Sequence, residues 1–254
     1  MYPLIQIGPL NLSSGGLLVL LALMTAIWLS ERAAQRRGGG ELVGQVSSCM
    51  YPTLAGAVIG GRLWYGLLNW DLYGANPGLF LALRVADLAW PGALLGGMLA
   101  GRLWCRRKGF APFAIADAAA LGLLPAQAIT ALGLLLSGEA FGVPTQLPWG
   151  LPLFGALRHP TQIYLLLAAL LSYGGLLMIA RRNPVPGVLF AAYLVFQAAP
   201  LLVIEALRAD SLLLPYGIRA AQVAGLALAI GGLRLMRDRL VHSSVRTSTA
   251  HLAR

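Results

Sequence analysis

Residues 15–40, GGLLVLLALMTAIWLSERAAQRRGGG, set an uncharged apolar run directly before a segment holding three arginines. A helix that crosses the hydrocarbon core of a bilayer needs about 20 mainly apolar residues. This run nearly reaches that length, and its charges gather at one end. The pattern recurs along the chain, at about 15–31, 45–68, 88–104, 113–136, 162–180, 186–205 and 217–236. The sequence therefore predicts an all-α integral membrane protein with seven transmembrane helices. On this reading residues 1–240 form a single seven-helix domain, and 241–254 form a polar, disordered cytoplasmic tail.

The composition agrees. Of 254 residues, 58% are hydrophobic and 11% charged, whereas soluble domains carry about 25% charged residues. The net charge of +10 is accounted for by the excess of Lys and Arg that cytoplasmic membrane loops carry, and nucleic-acid binding is not expected. ERAAQRRGGG (31–40), RLWCRRKG (102–109), RRNP (181–184) and RLMRDRL (234–240) follow the first, third, fifth and seventh runs. These are alternate loops. Placing all four inside puts the N-terminus outside and the C-terminus in the cytoplasm.

The opposite side carries the longer loops, and their few charges are Asp71, Arg84, Asp87, Glu139, Arg158, Glu205, Arg208 and Asp210. Cys49 and Cys105 lack paired spacing and a nearby histidine, so packing is expected of them and no metal site. The N-terminal MYPLIQIGPLNLSSGG has neither the basic first region nor the small-residue cleavage site of a signal peptide, and the first run is expected to be retained.

Polar residues within the spans need partners. Arg62, two-thirds along the second run and preceded by Gly56, Gly60 and Gly61, has two readings: it snorkels to the headgroups, or it binds an anion in a lipid-accessible cavity. Glu205 and Arg208 lie three apart and can pair, either as an interfacial salt bridge or as a device aiming Arg208 at a lipid phosphate. Gln127, Gln197 and Gln222 are expected to form interhelical hydrogen bonds, and Asp117, early in the fourth run, to complement the positive end of that helix. In RHPTQIY (158–164), His159 is either a satisfied polar residue at a helix start or a base.

GEAFGVPTQLPWG (138–150) followed by RHPTQIY resembles the signature of prolipoprotein diacylglyceryl transferases. IGPLNL (7–12), GAVIGGRLWYGLLN (56–69), ALLGGMLAG (93–101) and IEALRAD (204–210) resemble other family segments in the same order, and the resemblance covers residues 3–236. It implies seven spans with the N-terminus outside, in the bacterial inner membrane. It also implies transfer of the diacylglyceryl unit of phosphatidylglycerol to the lipobox cysteine of an exported lipoprotein precursor, whose signal peptide would be the protein partner. No cofactor and no metal are implied, and the oligomeric state is left open. The residues carried over are Arg208, Glu139 and His159 as catalytic, with Arg62, Gly138, Gln162, Tyr164 and Glu205 binding substrate.

Three family segments are altered here. An Arg-Trp-Tyr-Gly run is matched by Ser13, Ser14, Gly15 and Gly16. Phe-His-Gly-Gly is matched by Trp90, Pro91, Gly92 and Ala93, and Gly-Arg-Ile-Gly-Asn-Phe by Thr130, Ala131, Leu132, Gly133, Leu134 and Leu135. A tyrosine, a histidine, an arginine and an asparagine are thus replaced at Gly15, Pro91, Ala131 and Leu134. Three functions fit this pattern: the family's transfer reaction, a catalytically degenerate lipid-binding or scaffold protein, and a transferase using another lipid or acceptor.

Overall fold

The computed structural model describes residues 4–7, 10–75, 77–81 and 88–252, and it is mostly helical. The helices are α1 (Ser14–Leu68), α2 (Trp70–Ala75), α3 (Trp90–Lys108), α4 (Pro112–Ser137), α5 (Thr161–Ala180), α6 (Val188–Val203) and α7 (Ala220–Leu252). Arg84 and Asp87 lie outside the described residues. Among the described residues, four helices are long and apolar enough to cross a membrane: α1, α4, α5, and α6 with its continuation to Leu207. Leu20, Met24, Leu99, Leu171 and Met178 are each more than half exposed. Apolar exposure on this scale suits contact with lipid rather than water.

With 55 residues, α1 has more than twice the ~20 residues that one crossing of a hydrocarbon core needs. Its regular geometry fails at Gly39 (φ 65, ψ −160), a backbone conformation open essentially to glycine. The Arg-rich connection expected as a loop at 31–40 is otherwise helical. Arg, Gln and Ala are good helix formers, and Ala33 and Ala34 are buried. The tail also departs from expectation. The backbone of α7 stays helical to Leu252, in a stretch that contains no glycine or proline to stop it.

The chain forms two compact units, one of Ala34–Ile115 and one of Met1–Ala33 with Ala116–Arg254. In the first, α1 and α3 meet through glycines. A Cβ on Gly60 would lie 2.3 Å from the Gly92 carbonyl oxygen, and one on Gly96 would lie 2.2 Å from that of Gly56. Backbones this close give dispersion contact that larger side chains would prevent. Further along the same pair of helices, Trp104 Nε1 donates to Ser48 Oγ at 3.0 Å and the sulfurs of Cys49 and Cys105 lie 3.4 Å apart. Both cysteines are buried and free, as packing residues should be.

In the second unit the polar residues of the spans find partners. Gln127 Nε2 donates to Tyr193 Oη at 3.0 Å, joining α4 to α6, and Gln222 Nε2 donates to the Leu202 carbonyl at 3.0 Å, joining α7 to α6. Gln197 reaches the same Tyr193 hydroxyl from within α6. Asp117 is fully buried, and its carboxylate accepts from Gly187 N at 2.9 Å and Phe190 N at 2.8 Å. It complements the positive end of α6 rather than that of its own helix, supplying acceptors to amides that an α-helix leaves unpaired. Among the described residues, β1 (Leu4–Ile7) pairs antiparallel with β2 (Leu10–Ser13) and β3 (Leu151–Leu153) with β4 (Ala156–Arg158), and Leu213 is bridged to Arg219.

Two substitutions test this packing by thermal unfolding in detergent. Asp117→Asn, which keeps the shape but loses one acceptor oxygen, should destabilise by about 1–3 kcal/mol. Gly96→Val should cost a similar ~1–3 kcal/mol through overpacking.

Candidate functional site

The quoted signature occupies the loop between α4 and α5, and it is stitched to the loop between α6 and α7. The stitching is backbone pairing: Val143 N donates to the Leu207 carbonyl at 2.8 Å, and Ala209 N to the Phe141 carbonyl at 2.9 Å. Gly142 and Arg208 are bridged between these two bonds. The first loop leaves α4 through Gly138 (φ 79), whose N–H donates to the Leu134 carbonyl at 3.0 Å. That is a left-handed C-terminal cap, which glycine adopts without a Cβ penalty. Gly142 is set by space instead, since a Cβ there would fall 2.4 Å from the His159 carbonyl oxygen.

Arg208 lies at the centre. Its Nη1 meets Glu205 Oε2 at 3.1 Å, and its Nε meets Asp210 Oδ1 at 3.0 Å. The second oxygen of Asp210 accepts from Ala140 N at 3.0 Å. One carboxylate therefore ties the guanidinium to the signature loop. Burial opposes the charge on Arg208, but the hydrogen bonds and charges of Asp210 and Glu205 outweigh it and hold its pKa above the ordinary arginine value. The guanidinium is fixed, permanently charged and about a quarter exposed. This is a geometry suited to an anionic oxygen.

A second guanidinium supports it. Arg219 Nη1 donates to the Arg208 carbonyl and to Ser211 Oγ at 2.7 Å. Sequence reasoning passed over Arg219 because its partners are a carbonyl and a serine, which no charge spacing reveals. Asp210 was visible as an outward charge, and its place two residues from Arg208 was the signal that it belongs to the clamp.

The other predicted residues gather at the start of α5. His159 Nδ1 faces Tyr164 Oη at 3.4 Å, and that hydroxyl accepts from Trp149 Nε1 at 2.8 Å. Gln162 is fully buried and donates to the Glu139 carbonyl at 2.7 Å, while its Oε1 has no partner among the described residues. Thr161 Oγ1 donates to the Ala140 carbonyl. The Glu139 side chain is exposed. Gly138, Glu139, His159, Gln162, Tyr164, Glu205 and Arg208 are thus brought into one stitched assembly.

Arg62 belongs to the other compact unit and is buried, at 5% exposure. It donates to the carbonyls of Leu79 and Phe80 and lies over the Tyr73 ring, 5.3 Å from its centroid. Among the altered positions, Ala131 is 3% exposed. A Cβ on Gly15 would lie 3.5 Å from that of Ser137, and one on Gly133 would lie 3.3 Å from that of Leu18. Pro91 stands in the first turn of α3, where a missing N–H costs little.

Comparison with known proteins follows the same course. A family model described as prolipoprotein diacylglyceryl transferase matches residues 3–237. A protein of Symbiobacterium thermophilum named phosphatidylglycerol–prolipoprotein diacylglyceryl transferase is 34% identical over 243 residues, covering 91% of this chain and 90% of its own. Proteins of the same name from a Nostoc species and from Clostridioides difficile are 32% and 35% identical. The first alignment covers 91% of this chain and 87% of the relative, the second 69% and 71%.

Asp210→Ala removes both the Nε partner of Arg208 and the acceptor for Ala140 N. Hydrogen exchange should show faster exchange at Ala140, Val143 and Ala209, with the amides of α5 unchanged. Equal protection in variant and parent would show that the clamp does not hold the two loops together.

Proposed function

We propose, from the premise that this chain belongs to the prolipoprotein diacylglyceryl transferase family, that it transfers the diacylglyceryl unit of phosphatidylglycerol to the cysteine thiol of a lipobox. The acceptor is an exported lipoprotein precursor bearing a signal peptide. The observation that carries this reading is the Arg208 clamp, a permanently charged donor held between Glu205 and Asp210 and stitched into the signature loop. The protein is a multi-pass protein of the bacterial plasma membrane on this reading. Its single domain, residues 1–240, has seven spans, with the N-terminus outside and the 241–254 segment in the cytoplasm. Four helices among the described residues that are long and apolar enough to cross, the first of them broken at Gly39, support several spans, and the count of seven rests on the apolar runs of the sequence. The positive loops support the orientation.

The reaction assigns each group a task. The acceptor sulfur attacks the methylene carbon of the diacylglyceryl unit that carries the phosphate, so a carbon–sulfur bond forms as the carbon–oxygen bond breaks. The bond electrons leave with glycerol phosphate, and Arg208 stabilises the charge on the departing phosphate. The thiol proton goes to His159 Nε2, the nitrogen opposite the one that faces Tyr164. Glu139, through its carbonyl bond to Gln162, sets the loop against α5. Arg62, Gly138, Gln162, Tyr164 and Glu205 are assigned to substrate binding by their match to the family pattern.

A second reading has its own observation. The face of α4 where the family pattern has Arg and Asn carries Ala131, which is buried, and Leu134. A chain that binds lipid without transferring it, or that transfers with another lipid or acceptor, would show such a face.

The test is incubation of the purified protein in phosphatidylglycerol vesicles with a lipobox peptide, followed by mass spectrometry. A thioether-linked diacylglyceryl adduct should form, together with glycerol phosphate, and a Ser-for-Cys peptide should give none. Arg208→Gln should lower the rate about 10²–10³-fold, in the range of a lost oxyanion donor. A folded protein that yields no adduct, but gains activity on introduction of Arg at 131 and His at 91, would establish the degenerate reading instead.

A further inference from the structure

Two turns of the outward loops carry an aromatic residue where a turn in water carries a polar one. Between β3 and β4, Phe154 (φ 50) precedes Gly155 (φ 75); between α6 and α7, Tyr216 (φ 66) precedes Gly217 (φ 76). Paired left-handed conformations of this kind favour Asn, Asp or Gly at the first position, and a bulky residue there is strained. The backbone closes both hairpins without help from the rings. Leu153 pairs with Ala156, and Leu214 N donates to the Ile218 carbonyl at 2.7 Å.

Nor does packing within the chain account for them. Phe154 touches Phe141, with centroids 4.9 Å apart, yet stays 66% exposed, and Tyr216 is 100% exposed. Around the tips stand Trp149, Leu157, Leu212, Leu213 and Ile218, all between 41% and 67% exposed. Residues 147–157 and 212–218 contain no charge at all. Water is a poor environment for such a surface.

Position supplies the missing partner. One hairpin belongs to the connection from α4 to α5, the other to that from α6 to α7, and the two connections are hydrogen-bonded to each other. Both therefore stand at the same end of helices whose flanks are apolar and exposed, and their surfaces continue the lipid-facing one. Trp and Tyr concentrate at that depth of a membrane, where the ring is solvated by the acyl boundary and the polar atom by headgroups.

We propose that the tips at Phe154 and Tyr216, with the apolar residues around them, seat in the headgroup–acyl boundary of the leaflet on their side. The occupant of this surface is lipid. Seated so, the two hairpins flank the Arg208 clamp and hold it at phosphate depth, in a leaflet that supplies phosphodiester headgroups. The inference rests on the membrane reading above but not on turnover, because depth is measured with no acceptor present.

The experiment places a nitroxide on Phe154→Cys and, separately, on Tyr216→Cys, with Cys49 and Cys105 replaced by Ala, in phosphatidylglycerol-containing vesicles. Accessibility to oxygen, which partitions into lipid, is compared with accessibility to an aqueous nickel chelate, using a label on Arg182→Cys as the aqueous reference. Both tips should give an oxygen-to-nickel ratio several-fold above the reference, unchanged on adding a lipobox peptide. A ratio equal to the reference overturns the proposal. So does a ratio that rises only with peptide, since the tips would then meet the acceptor's apolar segment rather than lipid. The unaltered chain gives a second measurement that does not depend on the variants folding. A lipid carrying a photoactivated carbene near its headgroup should label peptides spanning 147–158 and 211–219, and labelling confined to the helices would count against the seat.

Discussion

The outward assembly depends on one charged side chain with a carboxylate on either side. Arg208 is half of an ion pair with Glu205 and half of another with Asp210, and Asp210 turns its free oxygen to the amide of Ala140. Two loops whose Ala140 and Asp210 lie 70 residues apart in sequence become one piece through that arrangement and the backbone bonds beside it. Removing one partner would leave a partly buried charge uncompensated, which is costlier than the pair is stabilising. The clamp thus specifies a geometry more than it adds stability, and a site that must meet a phosphate needs geometry.

A similar economy runs through the membrane-facing part. Water cannot satisfy polar groups there, so their partners have to come from within the protein. Asp117 meets two amides of α6, Gln127 and Gln197 share the hydroxyl of Tyr193, and Gln222 takes a carbonyl. In the other unit the glycines bring the backbones of α1 and α3 together directly, and the Trp104–Ser48 hydrogen bond joins the same helices further along. Polar matching and small-residue contact are complementary routes to helix association where the hydrophobic effect between helices is weak.

Legibility in the sequence followed the range of the interaction. Apolar runs are local, so the bounds of α4 and α5 fall within a residue of those read from hydropathy, and the spacing of Glu205 and Arg208 announced their pairing. Asp117 was legible as a helix-end partner, but not which helix, since its amides lie some seventy residues on. Arg219 could not be read at all, because backbone carbonyls leave no trace in composition. The break between the first two runs was legible and falls at Gly39, within 31–40, but its extent was not. The segment after the first run carries arginines that a helix tolerates well, and only Gly39 departs from helical geometry. The resemblance to a family placed the signature residues, and the structure added what joins them.

The capping of α6 by Asp117 also bears on how the chain is made. Asp117 is synthesised 70 residues before Gly187 and 73 before Phe190, an interval of about 4–15 s at the ribosome's ~5–20 residues per second. Throughout that time neither of the α6 amides that will donate to its carboxylate has been made. This contact between α4 and α6 forms only once α6 has been made. Biogenesis of this protein therefore contains an obligatory waiting step, set by the order of two helices in the gene.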